Sequence, residues 1–126
     1  MTRVCFDFDG VLAEYDVWRV GSIGEPLEAG LELIRLCDEA GFETILATCR
    51  LHPEHGSNVE QFEMIKAWLR KYDIPIDEIE MEGKPMADYY VDDKGLHFNQ
   101  RRAKIMGKDY AAVLMSHILE KEKTRK

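Results

Sequence analysis

Apolar residues along this chain follow two spacings in turn, and these spacings predict strands that alternate with helices. Short apolar runs, typical of buried strands, begin at Val4 and then cover 42–48, 74–81 and 88–92. In the segments between these runs, apolar residues recur every three or four positions, as they do on one face of a helix. One such helix is expected from Pro26 to Gly41, and another follows a capping box that begins at Ser57.

A last helix is expected near the end of the chain, with Asp109 as its cap. Its packing side chains would be Tyr110, Val113, Leu114 and Ile118. Strands alternating with helices favour a parallel sheet. The predicted fold is therefore α/β, a three-layer Rossmann-like parallel sheet with helices on both faces. In such a sheet, a ligand site lies beyond the carboxyl ends of the strands, near the switch in strand order.

Length, charge and cysteine content narrow the class of protein. A chain of 126 residues predicts one domain, 1–126, and its net charge of −7 argues against a general nucleic-acid or membrane-surface binder. No apolar window approaches the length of a membrane span, and the N-terminus does not resemble a signal peptide. The three cysteines include no Cys-x-x-Cys motif, which fits a reducing compartment and a cytoplasmic protein. The pattern leaves the oligomeric state open.

Two pairs of carboxylates end predicted strands. Asp7 and Asp9 close the first strand directly before Gly10, and Asp92 and Asp93 close the fourth. In an extended chain, Asp7 and Asp9 would point the same way and repel each other unless a cation lay between them or one carried a proton. A solvated acidic turn is the alternative reading of the first pair, and the second pair makes it less favoured.

A hydroxyl residue and a lysine complete a set suited to phosphoryl transfer. Thr48 ends the second predicted strand, and Lys84 stands shortly before the fourth. With the four aspartates they would supply a nucleophile, an acid, a hydroxyl donor to a phosphate oxygen, a cation and ligands for Mg²⁺.

These motifs occur in the order found in the haloacid dehalogenase-like (HAD-like) phosphatase superfamily, which the chain resembles over about 3–98. The motifs are Asp7-Phe8-Asp9-Gly10-Val11, Thr48, Lys84 and Asp92-Asp93. True haloacid dehalogenases lack the second aspartate of the first motif, so Asp9 favours phosphate chemistry over carbon–halogen chemistry. Too few residues separate the motifs for a large cap domain. The chain therefore resembles the capless branch, with a small flap loop at 13–25 near the site.

The resemblance implies a role for each motif residue. Asp7 would be the nucleophile that forms an aspartyl-phosphate, and Asp9 would protonate the leaving oxygen and later activate water. Mg²⁺ would be held by Asp7, by the backbone carbonyl of Asp9, by Asp92, and by Asp93 directly or through water. The phosphoryl oxygens would be bound by two further side chains, Thr48 and Lys84.

Several other polar or aromatic residues are candidate substrate contacts. Arg50 follows Thr48 and could reach a substrate anion, and Trp18 in the flap could stack on a substrate, although a surface ion pair and core packing are the alternatives. His52 and His55 suggest a metal site only weakly, because no third ligand is placed to complete it, and solvated loop histidines are favoured.

The predicted activity is that of a Mg²⁺-dependent phosphatase, a hydrolase of phosphate monoesters acting on a small phosphorylated substrate. Three alternatives stay open. A signalling receiver module uses similar residues, but its acidic pair precedes the phosphoacceptor aspartate, whereas here Asp7 and Asp9 come first. A non-catalytic relative usually lacks a key residue, and none is missing. A nucleic-acid end phosphatase would suit an open site, but the acidic net charge disfavours it.

Overall fold

The sheet at the centre of the fold contains five strands, and every neighbouring pair is parallel. The computed structural model describes residues 2–14, 23–48, 58–80, 85–92 and 96–123. The strands are β1 (Arg3–Asp7), β2 (Glu43–Ala47), β3 (Glu78–Glu80), β4 (Tyr89–Asp92) and β5 (Leu96–His97), in the spatial order β3-β2-β1-β4-β5. The chain moves outward from β1 to β3 and then returns to the other side of β1. The switch in strand order therefore lies between β1 and β4.

The described helices are α1 (Glu28–Glu39), α2 (Asn58–Lys71), α3 (Gln100–Met106) and α4 (Lys108–Lys123). α1 confirms the helix expected between Pro26 and Gly41. Gly41 follows α1 with a φ of +82°, the left-handed conformation that ends helices and that glycine adopts at low cost. None of the described helices combines the length and apolar character needed to cross a membrane.

All four described helices contribute to one core on one face of the sheet. The strand residues of this core follow the alternation expected for strands and are Val4, Phe6, Leu46, Tyr89 and Val91. α1 and α2 connect strands in the same direction along the sheet, so right-handed crossovers place both on this face. The ring of Phe8, just beyond β1, packs edge-on against Trp68 of α2 with centroids 5.1 Å apart.

The opposite face of the sheet is contacted by the segment 85–88, the described part of the chain between β3 and β4. A connection in this reverse direction belongs on the second face when it is right-handed. The eight residues of this connection, 81–88, are fewer than the dozen or so that a helical crossover needs. Within the described residues, the segment 85–88 rather than a helix layer covers this face, which carries a small cluster of Cys5, Ile45, Ala47, Ala87 and Tyr90.

Polar contacts fix the segment 85–88 to the sheet. The Tyr90 hydroxyl donates to the carbonyl oxygen of Pro85 at 2.6 Å and accepts from the backbone N–H of Ala87 at 3.1 Å. The guanidinium of Arg3 donates to the carbonyl oxygen of Met86 at 2.6 Å, and its backbone N–H donates to the carboxylate of Asp88 at 2.7 Å. The path of the chain into β4 is therefore fixed from both β1 and β4.

The parallel α/β fold without a cap domain is confirmed by the described residues. The expected helices on both faces are not found there, because the described helices all pack on one face. The third strand is also shorter than predicted. β3 covers only Glu78–Glu80 of the expected 74–81. Pro75 has no N–H for a ladder, and its carbonyl accepts instead from the Thr44 hydroxyl at 2.7 Å. The carboxylate of Asp77 accepts from the backbone N–H of Thr44 at 2.8 Å, while the backbone N–H of Asp77 donates to the carbonyl oxygen of Thr44 at 2.9 Å. A side chain therefore takes the place of one of the backbone bonds that would extend the strand.

The C-terminal part of the chain differs most from the sequence-based expectations. β5 and α3 were not predicted, because two and seven residues are too few to show a period. α4 begins at Lys108, so Asp109 lies in its first turn and is not the cap residue. Val113, expected to pack, is 42% exposed, whereas Tyr110, Leu114 and Ile118 are buried as predicted.

Candidate active site

Three of the predicted site residues come together at the carboxyl edge of the sheet. Phe6 of β1 pairs with Val91 of β4, so Asp7 and Asp92 are the next residues along these neighbouring parallel strands. On the other side of β1, Asp7 pairs with Ala47 of β2, and Thr48 is the next residue. Asp7, Thr48 and Asp92 therefore lie at the ends of three adjacent strands, at the switch in strand order where ligands bind in such sheets.

Burial makes this arrangement electrostatically demanding. Asp92 is only 3% exposed, and Asp7 is partly buried. Burying a carboxylate is costly unless hydrogen bonds or an opposite charge compensate for the lost hydration. Both residues fall on the second face of the sheet by strand alternation, the face crossed by 85–88. The two carboxylates therefore lie at neighbouring strand ends on the same face of the sheet.

Asp9 is placed by a turn rather than by a strand. The carbonyl oxygen of Phe8 accepts from the backbone N–H groups of Val11, Leu12 and Ala13 at 3.3, 3.0 and 3.1 Å. Gly10, with a φ of +88°, allows the chain to turn back directly after Asp9. The expected strand geometry therefore ends at Asp7, and the position of Asp9 relative to Asp7 depends on this turn.

The turn rests on α1 at Gly30, a contact that the sequence reading missed. A Cβ added at Gly30 would lie 1.9 Å from the carbonyl oxygen of Val11 and 3.3 Å from the Cα of Leu12. Only glycine permits this approach between the helix and the turn. The sequence contained one signal of this contact, a glycine inside a predicted helix. Glycine costs a helix about 1 kcal/mol relative to alanine, so its presence there indicates a packing requirement.

The two ends of the predicted flap, 13–25, are joined beside this turn. The backbone N–H of Glu14 donates to the carbonyl oxygen of Glu25 at 2.8 Å, and Ala13 and Pro26 form an antiparallel bridge. The carboxylate of Glu14 forms an ion pair with Lys104 of α3. The flap therefore starts and ends at one fixed point, next to the site.

The remaining predicted site residues lie outside the described residues. They are Trp18, Arg50, His52, His55, Lys84 and Asp93. Their roles stay predictions, although two of them directly adjoin described positions. Lys84 precedes the fixed segment 85–88, and Asp93 follows Asp92 at the end of β4.

The donor set at the sheet edge suits a hard cation such as Mg²⁺. Asp7 and Asp92 supply carboxylate oxygens on adjacent strands, the ligand type that Mg²⁺ binds. Within the described ranges, no three side chains of His, Cys, Asp or Glu meet in one group. The further ligands that the resemblance implies, the carbonyl of Asp9 and the side chain of Asp93, stay predictions.

A separate cavity of about 520 Å³ lies between α2 and the chain around β3. Its lining includes Phe62, Leu69, Ile76 and Ile79, with Lys66 and Arg70 at its polar side. It contains neither Asp7 nor Asp92. The candidate site at the switch in strand order is therefore distinct from this cavity.

Two solved structures have folds similar to that of this chain. One, a structural-genomics target from Vibrio cholerae, is 25% identical over 93% of this chain and 98% of its own, with a TM-score of 0.55. The other, a conserved protein from Bacteroides thetaiotaomicron, is 21% identical over 85% of this chain and 89% of its own, with a TM-score of 0.57. Neither description names an activity. A scan of protein-family models and a search of curated proteins found no match.

Proposed function

We propose that the protein is a Mg²⁺-dependent phosphate monoester hydrolase that acts through an aspartyl-phosphate on Asp7. The observation that supports this proposal is the register that brings Asp7, Thr48 and Asp92 to one edge of the sheet, at the switch in strand order. A carboxylate, a hydroxyl and a buried second carboxylate at this place match the residue types and order of the HAD-like motifs. The two solved structures support the fold alone.

The reaction divides between the two aspartates of the first motif. A carboxylate oxygen of Asp7 would attack phosphorus, and the bond from phosphorus to the ester oxygen would break as that oxygen takes a proton from Asp9. Water would then lose a proton to Asp9 and attack the aspartyl-phosphate, which releases phosphate and restores both side chains. The turn seated on Gly30 would hold Asp9 for both proton transfers.

The remaining residues would stabilise the phosphoryl group. The Thr48 hydroxyl would donate to a phosphoryl oxygen, and Lys84, just before the segment fixed by Tyr90, would supply a positive charge. When bound by Asp7, Asp92 and Asp93, Mg²⁺ would neutralise charge on the phosphoryl oxygens. The strand order also favours a phosphatase over a receiver module, because receiver-type flavodoxin-like sheets have the order 2-1-3-4-5.

Turnover of p-nitrophenyl phosphate by the purified protein tests the proposal. We expect Mg²⁺-dependent activity that a chelator abolishes, and complete loss of turnover in Asp7→Asn. Asp38→Asn, an equal change at an exposed position in α1, is the matched control and should retain activity. A fluoride resonance from beryllium fluoride bound with Mg²⁺ should appear in the wild type and not in Asp7→Asn. Turnover that survives in Asp7→Asn would refute the proposed nucleophile.

A further inference from the structure

One segment of this acidic chain carries positive charge without any acidic residue. The net charge is −7, yet residues 94–108 contain five Lys or Arg and no Asp or Glu. Three of these cations are in α3, namely Arg101, Arg102 and Lys104, and all three are exposed. A segment of this composition is locally positive and attracts anions.

α3 lies next to the candidate active site. The backbone N–H of Phe98 donates to the carbonyl oxygen of Asp92 at 3.0 Å, and α3 begins two residues later. Its N-cap is Asn99, whose side chain accepts from the backbone N–H of Arg102 at 3.0 Å. Three residues of extended chain span at most about 11 Å, so the backbone of Arg101 lies within that distance of Phe98.

The far side of α3 reaches the base of the flap. Lys104 forms an ion pair with Glu14, which lies at the joined ends of the flap. Arg101 is one helical turn before Lys104 and on the same side of the helix. Along the chain, Arg101 therefore lies between Phe98, which bonds to Asp92 at the end of β4, and Lys104, which pairs with Glu14 at the base of the flap.

The guanidinium groups of α3 differ from that of Arg3 in their surroundings. Arg3 is engaged by Glu43 at 2.6 Å and by Glu78 at 3.4 Å. The side chains of Arg101 and Arg102 form no ion pair or hydrogen bond with any residue that the structure describes. Two uncommitted guanidiniums beside a phosphate site are suited to a second anion, because their fork of N–H donors matches phosphate oxygens.

We propose that Arg101, assisted by Arg102, binds a second phosphate group of the substrate while the first is held at Asp7 and Thr48. This inference rests on the proposed function and names its substrate class, which is phosphate esters that carry a further phosphate. Because both arginines are exposed, water and salt weaken the contact. A hydrogen-bonded pair of this kind then corresponds to a preference of roughly tenfold.

The test compares fructose 1,6-bisphosphate with fructose 6-phosphate as substrates. We expect kcat/KM to be roughly tenfold higher for the bisphosphate, mainly through KM, and the preference to shrink as ionic strength rises. In Arg101→Gln the ratio should fall toward one, and Arg101→Lys should restore only part of it. Arg70→Gln removes the same charge from the end of α2 and should leave the ratio unchanged. Arg102→Gln should lower the ratio less, and an unchanged ratio in Arg101→Gln would overturn the proposal.

A binding measurement separates this inference from the proposed activity. In the Asp7→Asn background, which should not turn over substrate, fructose 1,6-bisphosphate should shift the Arg101 side-chain NMR signals, and Arg101→Gln should weaken its affinity by roughly tenfold. If the wild type hydrolyses no phosphate ester while this binding persists, the activity fails and the anion site stands. If binding is insensitive to Arg101→Gln, the anion site fails whatever the activity.

The same chemistry could come from a small bisphosphate or from the backbone of a nucleic-acid end. A 5′-phosphorylated tetranucleotide, assayed beside fructose 1,6-bisphosphate, distinguishes these sources. A preference for the tetranucleotide or for the bisphosphate over the monophosphate, lost in Arg101→Gln, supports the second-phosphate site. The preferred substrate then shows which kind of molecule supplies the second phosphate. Equal kcat/KM values for the tetranucleotide, the bisphosphate and the monophosphate in the wild type would refute it.

Discussion

Replacing Gly30 by alanine tests how the position of Asp9 is set. The new Cβ would lie 1.9 Å from the carbonyl oxygen of Val11, where ordinary contacts between carbon and other heavy atoms need well over 3 Å. The obstructing atoms are backbone of a turn already held by three hydrogen bonds to Phe8, so the turn and α1 must separate by at least about 1 Å. A displacement of this size near a reacting group can lower the rate by roughly 10²-fold.

The loss should show which group has moved. In the proposed mechanism Asp9 protonates the leaving oxygen. Gly30→Ala should then depress kcat more for an alkyl phosphate than for p-nitrophenyl phosphate, whose leaving group needs little protonation. Labelling of Asp7 by beryllium fluoride should persist at saturating Mg²⁺, because β1 ends before the turn. The Mg²⁺ concentration needed should rise, because the turn also carries the backbone carbonyl of Asp9. Gly30→Ala should lower the unfolding free energy by less than the strain of about 1 to 3 kcal/mol that the new Cβ introduces, because alanine also favours the helix by about 1 kcal/mol.

Gly41 provides the matched control, because it follows the C-terminal end of the same helix. A Cβ at Gly41 meets nothing within 4 Å, but its φ of +82° is unfavourable for alanine. Gly41→Ala should therefore lower the urea midpoint while the ratio of alkyl to aryl turnover stays as in the wild type. If Gly30→Ala slows both esters equally, or slows neither, the turn does not position Asp9 in the way inferred here.

Four further outcomes are expected. Asp92→Asn should raise the Mg²⁺ concentration needed for half-maximal activity by more than roughly tenfold, which is the effect of losing a residue that only supports a metal ligand. An unchanged Mg²⁺ titration would exclude Asp92 as a ligand. Asp9→Asn should lose roughly 10²- to 10⁴-fold in rate for alkyl esters and less for aryl esters, as measured by steady-state kinetics. Tyr90→Phe should lower the unfolding free energy by about 1 to 2 kcal/mol in urea, because the carbonyl of Pro85 loses its donor, and an unchanged midpoint would contradict that contact. Burial raises the pKa of the Cys37 thiol to about 12, so above about pH 9 the thiol loses its proton in the unfolded chain before it does so in the folded one. The stability that Cys37 adds relative to Cys37→Ala should therefore be full below about pH 9 and then decline by up to about 1.4 kcal/mol per pH unit. Urea unfolding of both proteins from about pH 8 to 11 measures this decline.

The sheet and its carboxyl edge could be predicted because they depend on local pattern and a general rule. Runs around Phe6, Leu46 and Val91 are buried strands of the kind that their composition predicts. Once these strands are parallel, residues that follow them, such as Asp7 and Asp92, must meet at the same edge.

What could not be predicted depends on contacts between distant parts of the chain. The contact between Gly30 and the turn after Asp9 could be predicted only if the packing of α1 against that turn were already known. The shortening of β3 depends on Thr44 bonding to Asp77, and no strand propensity contains that information. The cations of α3 were missed because a seven-residue helix shows no period and because an overall charge of −7 conceals a local excess of positive charge.

The position of β1 between β2 and β4 has a consequence for folding. β2 follows β1 closely in the chain, whereas β4 pairs with β1 only after the chain has passed β3 and returned. Until then, Val4, Cys5 and Phe6 would present an apolar strand edge with unsatisfied N–H and C=O groups, the kind of edge that recruits other chains. Docking of β4 closes this edge and brings Asp92 beside Asp7 in the same event. A chain that has not completed its sheet would therefore lack the proposed site and expose an edge that favours aggregation.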